Sequence, residues 1–234
     1  MESLNLKQET ARPFLTWQVV IKWGKDHYRE RTFRKDERIP SRPGLLYLVE
    51  KGAVRVVGET QESPLNKYNN QEITPNLAQE KEEAFLGFVV GGEPFEIVIK
   101  NPYNIEAYAH VEDTSIIWLY WQDLDNWPHF KGEIFNEFRR QHQRKLLWLS
   151  VLGQKHTIDR LFGFLSLLME EYGQPQEKGY CLPYPLTHAQ IASAIGSTRV
   201  TVTRLMGKLR QMGLIVIEED GLICLPHLQP NSPS

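Results

Sequence analysis

Between Leu186 and Ile215 the chain reads LTHAQIASAIGSTRVTVTRLMGKLRQMGLI. From Arg199 to Met212 it carries four cations, Arg199, Arg204, Lys208 and Arg210, and no acid. Thr198, Thr201 and Thr203 add hydroxyls to the same short stretch. An arginine fork can bond two acceptors on a guanine edge, and hydroxyl and ammonium groups bond phosphate oxygens. These residue types suit contact with a nucleic-acid duplex. The whole chain of 234 residues has a formal net charge of -2, so any such contact must come from this local patch.

The elements that would hold these side chains can be read locally. Thr187 with Gln190 three residues later is a capping box, which predicts a helix from His188. Ile191, Ala192 and Ile195 give that helix an apolar face, and Gly196 ends it by permitting a left-handed turn. Thr198 is the next N-cap, followed by a helix from Arg199 to about Met212 with Val202, Leu205 and Leu209 facing inward. Two short helices around a glycine turn make a helix-turn-helix. The following LIVIEEDGLICLP reads as a hairpin turning at Asp220–Gly221, which adds a wing. The expected DNA contacts are Thr187, His188, Ser197, Thr198, Arg199, Val200, Thr201, Thr203, Arg204 and Lys208. The competing readings are a structural helical hairpin with a solvated basic face, and a winged helix that binds protein.

The first half of the chain reads as strands. Pro13–Trp23, His27–Ile39, Gly44–Gly58, Ala84–Val90, Glu93–Lys100 and Ile105–Trp121 are rich in β-branched and aromatic residues and broken by Gly, Pro and charged turns. Such spacing predicts an antiparallel sandwich or barrel. Glu59–Glu83 is polar and aperiodic, and reads as a long hairpin loop, either a plain insertion or a docking or gating segment. From Pro128 the period changes. Phe135, Phe138, His142, Leu146, Leu149 and Leu152 recur at spacings of three and four, a long helix with an apolar stripe suited to a core or a dimer seam. A second apolar helix, Thr157–Gly173, and a linker or hairpin, Gln174–Pro185, lead into the helix-turn-helix. The expected divisions are residues 1–127, 128–154 and 155–234, and the fold class is α+β.

Several functions are disfavoured. Cys181 and Cys224 are the only cysteines, far apart in sequence, which argues against a zinc ribbon, an iron–sulfur cluster or a disulfide scaffold. No metal site or cofactor is expected. Met1–Thr10 lacks an apolar core of signal-peptide length and no apolar run could span a bilayer, so a soluble cytoplasmic protein is expected. No GxSxG, Walker A loop or GxGxxG is present. A cupin-like enzyme would need two close histidines, yet no HxH occurs and His110 stands alone among its strand neighbours. His27, His110, His129 and His142 have no spacing that supports haem.

The order of β-rich domain, long helix and winged helix resembles the CRP/FNR family of bacterial transcription regulators. The likeness is sharpest in LTHAQIASAIGSTRVTVTRLMGKLR, which resembles the cyanobacterial nitrogen-control (NtcA) branch residue by residue. The resemblance implies a cyclic-nucleotide-binding-like β-roll (a double-stranded β-helix or jelly roll), a long dimerisation helix and a C-terminal winged helix-turn-helix. It implies a homodimer on double-stranded DNA, control of transcription by activation or repression, and RNA polymerase as partner. The family's guanine-reading arginine falls on Arg199 and a second motif arginine on Arg204. Val200 stands where cAMP-dependent members carry glutamate. A glutamate accepts from cytosine N4, whereas valine can only pack on a thymine methyl, so a GTA-type half-site is expected rather than TGTGA.

The resemblance also locates an effector pocket. Gly92–Glu93 matches the family's glycine–glutamate pair, and the phosphate cassette reads NPYNIEAYA, Asn101–Ala109. Tyr103 replaces the phosphate-binding arginine, Asn104 replaces the serine, and Glu106 adds negative charge. A buried phosphate without a cation is unfavourable, so cyclic-nucleotide dependence is not expected. A 2-oxoglutarate site would need cations, for which Arg139, Arg140 and Arg144 are candidates, although a solvated helix face is the favoured reading of these three. The remaining alternative is a β-roll that docks a protein partner.

Overall fold

Helix α1 spans Phe14–Asp26, where composition predicts a strand over Pro13–Trp23. Trp17, Val20 and Ile21 are buried, a spacing of three and four that belongs to a helix. Gly24 continues this face. A Cβ there would meet Ile117 Cγ2 at 2.6 Å, so glycine lets the helix lie close on the sheet beneath. The computed structural model describes residues 14–42, 44–60, 83–100 and 103–226.

The chain divides into two compact units. The first comprises residues 1–82 and 86–139, the second 83–85 and 140–234. In the first, strands β1 (Glu30–Phe33), β2 (Leu45–Lys51), β5 (Pro94–Phe95) and β8 (Thr114–Tyr120) form one sheet, ordered β1-β8-β2-β5. Strands β3 (Ala53–Thr60), β4 (Glu83–Val90, whose first three residues count with the second unit), β6 (Ile99–Lys100) and β7 (Tyr103–Ala109) form the second sheet, ordered β4-β3-β7-β6. The described pairings are antiparallel, as the short-strand spacing predicts. The Glu59–Glu83 loop is only partly visible: Glu59 and Glu83 lie in β3 and β4, and 61–82 lie outside the described residues.

Side chains from both sheets meet in one core, including Tyr47 and Val49 of β2, Val54 of β3, Val89 of β4 and Ala107 and Ala109 of β7. The other face of the first sheet has its own core, where Leu46, Leu48, Ile117 and Leu119 pack under Trp17, Val20, Phe130 and Ile134. Strand β2 is therefore buried on both faces, which explains its unbroken apolar run LLYLV.

A 3₁₀ turn, Trp121–Asn126, leads into α2, Pro128–Leu152, the long helix expected from its period. In the second unit α3 spans Thr157–Tyr172, followed by the hairpin β9 (Gln174–Gln176) and β10 (Gly179–Cys181). Gly173 ends α3 as predicted, but not through a left-handed turn: its φ is -59°, and a Cβ there would meet the Met169 carbonyl at 2.3 Å. Helices α4 (His188–Ala194) and α5 (Arg199–Gln211) precede the wing strands β11 (Val216–Ile217) and β12 (Ile223–Leu225). The four short strands form a sheet ordered β11-β12-β10-β9.

One expectation is overturned here. Cys181 and Cys224 are joined in a disulfide, not left apart. They are direct cross-strand partners in the β10–β12 pair and fully buried. A sequence separation of 43 residues says nothing about a register set by sheet closure. Among the described residues no helix is long and apolar enough to cross a membrane, and no cluster of three metal-ligating side chains occurs.

Candidate nucleic-acid interface

The predicted capping chemistry builds the site. Thr187 Oγ1 accepts from the Gln190 amide at 3.1 Å, and Gln190 Oε1 accepts from the Thr187 amide at 3.0 Å. This reciprocal pair satisfies two of the amides left over at the start of α4. At its end Gly196 takes φ +62°, and the Ser197 amide donates back to the Ala192 carbonyl at 2.9 Å. That is the six-residue closing bond of a Schellman turn. Thr198 then caps α5, its hydroxyl accepting from the Thr201 amide at 3.2 Å.

Helix α5 has two distinct faces. Val202, Leu205, Met206 and Leu209 are buried against the domain. Arg199, Val200, Thr203, Arg204, Lys208 and Arg210 are exposed, with Val200 at 80% the most open apolar residue of the helix. Val200 stands beside Arg199 at the N-terminus of this exposed face. His188, at the first position of α4, reaches across to α5, with Nδ1 2.9 Å from Thr203 Oγ1. The structure thus gathers Thr187, His188, Ser197, Thr198, Arg199, Val200, Thr201, Thr203, Arg204 and Lys208 on two adjoining helices and the turn between them.

The wing differs from the basic helix. Its turn closes at Gly221 with φ +84°, where the Gly221 amide donates to the Glu218 carbonyl at 3.0 Å. Glu219 and Asp220 are exposed at its tip, and Glu218 pairs with Lys178 of the β9–β10 turn at 2.7 Å. The positive charge of this domain is therefore concentrated on α5 rather than on the hairpin.

Comparison with known proteins agrees with this geometry. Residues 159–229 match the model of the Crp-like helix-turn-helix domain. The chain is 41% identical over 193 residues to the global nitrogen regulator of Nostoc sp. strain PCC 7120, covering 80% of this chain and 81% of that protein. The chain belongs to the CRP/FNR family of transcription regulators. The global nitrogen regulator of Synechocystis sp. strain PCC 6803 is 42% identical over 173 residues, 74% of this chain and 72% of its own. A CRP-family regulator from Thermus thermophilus superposes with TM-score 0.60 at 22% identity, covering 85% of this chain and 92% of that one. A cyclic nucleotide-binding domain containing protein from Listeria monocytogenes EGD-e reaches TM-score 0.67 at 14% identity over 90% and 98%. At those identities the two solved structures speak to the fold alone: a cyclic-nucleotide-binding-like β-roll, a long helix and a winged helix-turn-helix.

In this CRP/FNR chain the β-roll buries several polar groups, among them Glu59, Glu93, Asn104 and Glu106. Gly92 has φ +85° in the turn before β5, and fully buried Glu93 accepts from the Val90 amide at 2.8 Å through Oε2. Asn104 is buried on β7, while the Tyr103 side chain lies outside the described residues. Buried Glu59 and Glu106 flank the Tyr108 hydroxyl, which lies 2.9 Å from one and 3.2 Å from the other. Burial, and then these two carboxylates, push the Tyr108 phenol well above its ordinary range. Two guanidiniums stand nearby. Arg38 pairs with Glu106, and Arg55 lies over the Tyr108 ring and pairs with Asp36 at 2.6 Å. Arg139 and Arg140 are exposed on α2, and Arg144 pairs with Glu171. Glu59, Tyr108 and Arg55 escape a motif search because register, not spacing, assembles them.

On α2 the predicted stripe has two parts. Phe138 is half-buried against the core of the first unit. Phe135, His142, Leu146 and Leu149 are exposed, and Leu152 is half-buried.

Proposed function

We propose that this chain is a homodimeric transcription regulator that reads a palindromic GTA-type site through α5. The observation that carries the reading is the exposed, acid-free face of α5, with Arg199 and Val200 at its N-terminus. Arg199 bonds guanine O6 and N7, Val200 packs on the thymine methyl, and Thr198, Thr201 and Lys208 hold phosphates. Residues 128–154 serve as the dimerisation helix between a β-roll, 1–127, and the DNA reader, 155–234. A dimer seam along Phe135, His142, Leu146 and Leu149 sets two α5 helices about one helical turn of DNA apart. The regulator works in the cytoplasm with RNA polymerase as its partner.

The β-roll of this regulator does not take a cyclic nucleotide. Its cluster holds Glu59 and Glu106, and both nearby guanidiniums already have carboxylate partners, Arg38 with Glu106 and Arg55 with Asp36, so a cyclic phosphate placed there would have to compete with acid for its cation. The test is fluorescence anisotropy of the purified protein on GTA…TAC and TGTGA palindromes, across salt, with and without 2-oxoglutarate and cAMP. The expected result is a GTA preference, a steep salt slope and no response to cAMP. Equal binding to both palindromes and to a scrambled duplex would sink the assignment of Arg199 and Val200. A response to 2-oxoglutarate would make the β-roll or α2 a ligand switch.

A further inference from the structure

The side chain of Arg160, on the first turn of α3, lies where three elements meet. Its Nε donates to the Ile195 carbonyl at 3.2 Å. Its Nη1 donates to the Gln154 carbonyl at 3.0 Å and contacts the Lys155 carbonyl at 3.4 Å. Its Nη2 donates to Thr157 Oγ1 at 3.1 Å. One guanidinium thus reaches the connection after α2, the start of α3 and the end of α4.

The Ile195 carbonyl is the informative partner. Helix ends leave carbonyls without intrahelical donors. The Schellman bond from Ser197 satisfies the Ala192 carbonyl but leaves that of the C-cap residue Ile195 to find its own donor. Arg160 supplies it. Only Gly196 and Ser197 then separate this anchor from Thr198, the N-cap of α5. With the C-cap carbonyl held, the left-handed turn at Gly196 launches α5 in one direction.

We propose that Arg160 is a positioning residue for DNA reading: it clasps the helix-turn-helix turn to the α2–α3 connection and so aims α5. It touches no DNA itself. The inference rests on α5 being the reading helix, as proposed above. Several carbonyl acceptors in different directions suit the planar fork of arginine, whereas the single ammonium of lysine cannot serve them together. A residue of this kind separates aim from charge. Losing it misplaces Arg199 and Val200 relative to base edges, while the cations that hold phosphate in any sequence remain.

The test uses the full-length protein and two variants, Arg160→Gln and Arg160→Lys. Binding to the GTA palindrome and to a scrambled duplex is measured at one salt concentration, and amide hydrogen exchange is followed without DNA. In Arg160→Gln the palindrome affinity should fall about tenfold, the scale of one lost hydrogen bond from a charged donor, with scrambled-duplex affinity unchanged. Exchange should quicken at Ser197–Val202 and not within α3. Arg160→Lys should fall between the two proteins on both readouts. An equal loss on both duplexes, or unchanged exchange at Ser197–Val202, overturns the proposal. If Arg160→Gln does not fold, Arg160→Lys decides by the same two readouts. A wild-type protein that shows no palindrome preference overturns the DNA reading and, with it, the aiming role, and the exchange data then show whether the clasp itself exists.

Discussion

His188 Nδ1 and Thr203 Oγ1 lie 2.9 Å apart, joining the first residue of α4 to the middle of α5. The same hydroxyl donates to the Arg199 carbonyl at 2.9 Å. A hydroxyl has one proton. With that proton on the carbonyl, Thr203 accepts from His188, and the ring carries its N–H on Nδ1. The pair fixes both the tautomer and the direction of a side chain proposed to meet DNA. Thr203→Val removes the acceptor while keeping the shape. Both groups are exposed, so water replaces the bond and stability should change by less than about 1 kcal/mol. Affinity for the palindrome should still drop severalfold, and Thr203→Ser should retain it. Anisotropy titrations of the three proteins decide the matter, and equal affinities would remove His188 from the positioned contacts.

The two N-terminal residues of α5 make a sharper prediction. Arg199→Ala should lose about 1–3 kcal/mol on the palindrome and relax choice at the guanine. Val200 is 80% exposed, so Val200→Glu disturbs no core and should leave stability within about 0.5 kcal/mol. The new carboxylate can accept from cytosine N4, which valine cannot. Competition between GTA and TGTGA duplexes should therefore move toward TGTGA in this variant. An unmoved preference would mean that Val200 does not face a base.

The parts legible in the sequence are those whose causes are local. Thr187 with Gln190, Gly196, and Thr198 with Thr201 interact within three or four residues, so spacing alone announces the caps, the turn and the two helices. The period of α2 is equally local. Composition misleads in α1, where Val19, Val20 and Ile21 suggest a strand while the buried set Trp17, Val20 and Ile21 follows a helix. The remaining features depend on register and closure. Cys181 meets Cys224 only because β10 pairs with β12. Tyr108 meets Arg55 because β3 pairs with β7, residue against residue. Arg160 bonds backbone carbonyls, which leave no mark on residue type.

The exposed apolar side chains of α2 predict an assembly. Phe135, Leu146 and Leu149 are each more than half exposed, an unfavourable state for one face of one helix. Leu146→Glu with Leu149→Glu places like charges in the proposed seam. Sedimentation should show the wild type as a dimer and the variant as a monomer. On the palindrome, the slope of log affinity against log salt should shrink, because a monomer neutralises the phosphates of one half-site only. A variant that sediments like wild type would place the seam elsewhere.

Tyr108 predicts a dependence on alkaline pH. Its hydroxyl sits between Glu59 and Glu106, and burial followed by these carboxylates raises its pKa in the folded protein. A phenol in the unfolded chain ionises near pH of about 10. Below that pH both states hold the proton, and the full contribution to stability is present. Above it the unfolded state loses the proton first, so stability falls as pH rises. Tyr108→Phe has no such proton to lose. Urea unfolding followed from pH of about 8 to about 11 should therefore show a steeper alkaline loss in the wild type than in Tyr108→Phe. Absorbance of phenolate should in parallel show one more tyrosine ionising on unfolding of the wild type than of the variant. Parallel stability curves would mean that the hydroxyl is not held between the two acids in solution, and that this corner of the β-roll is open enough to admit water or a ligand.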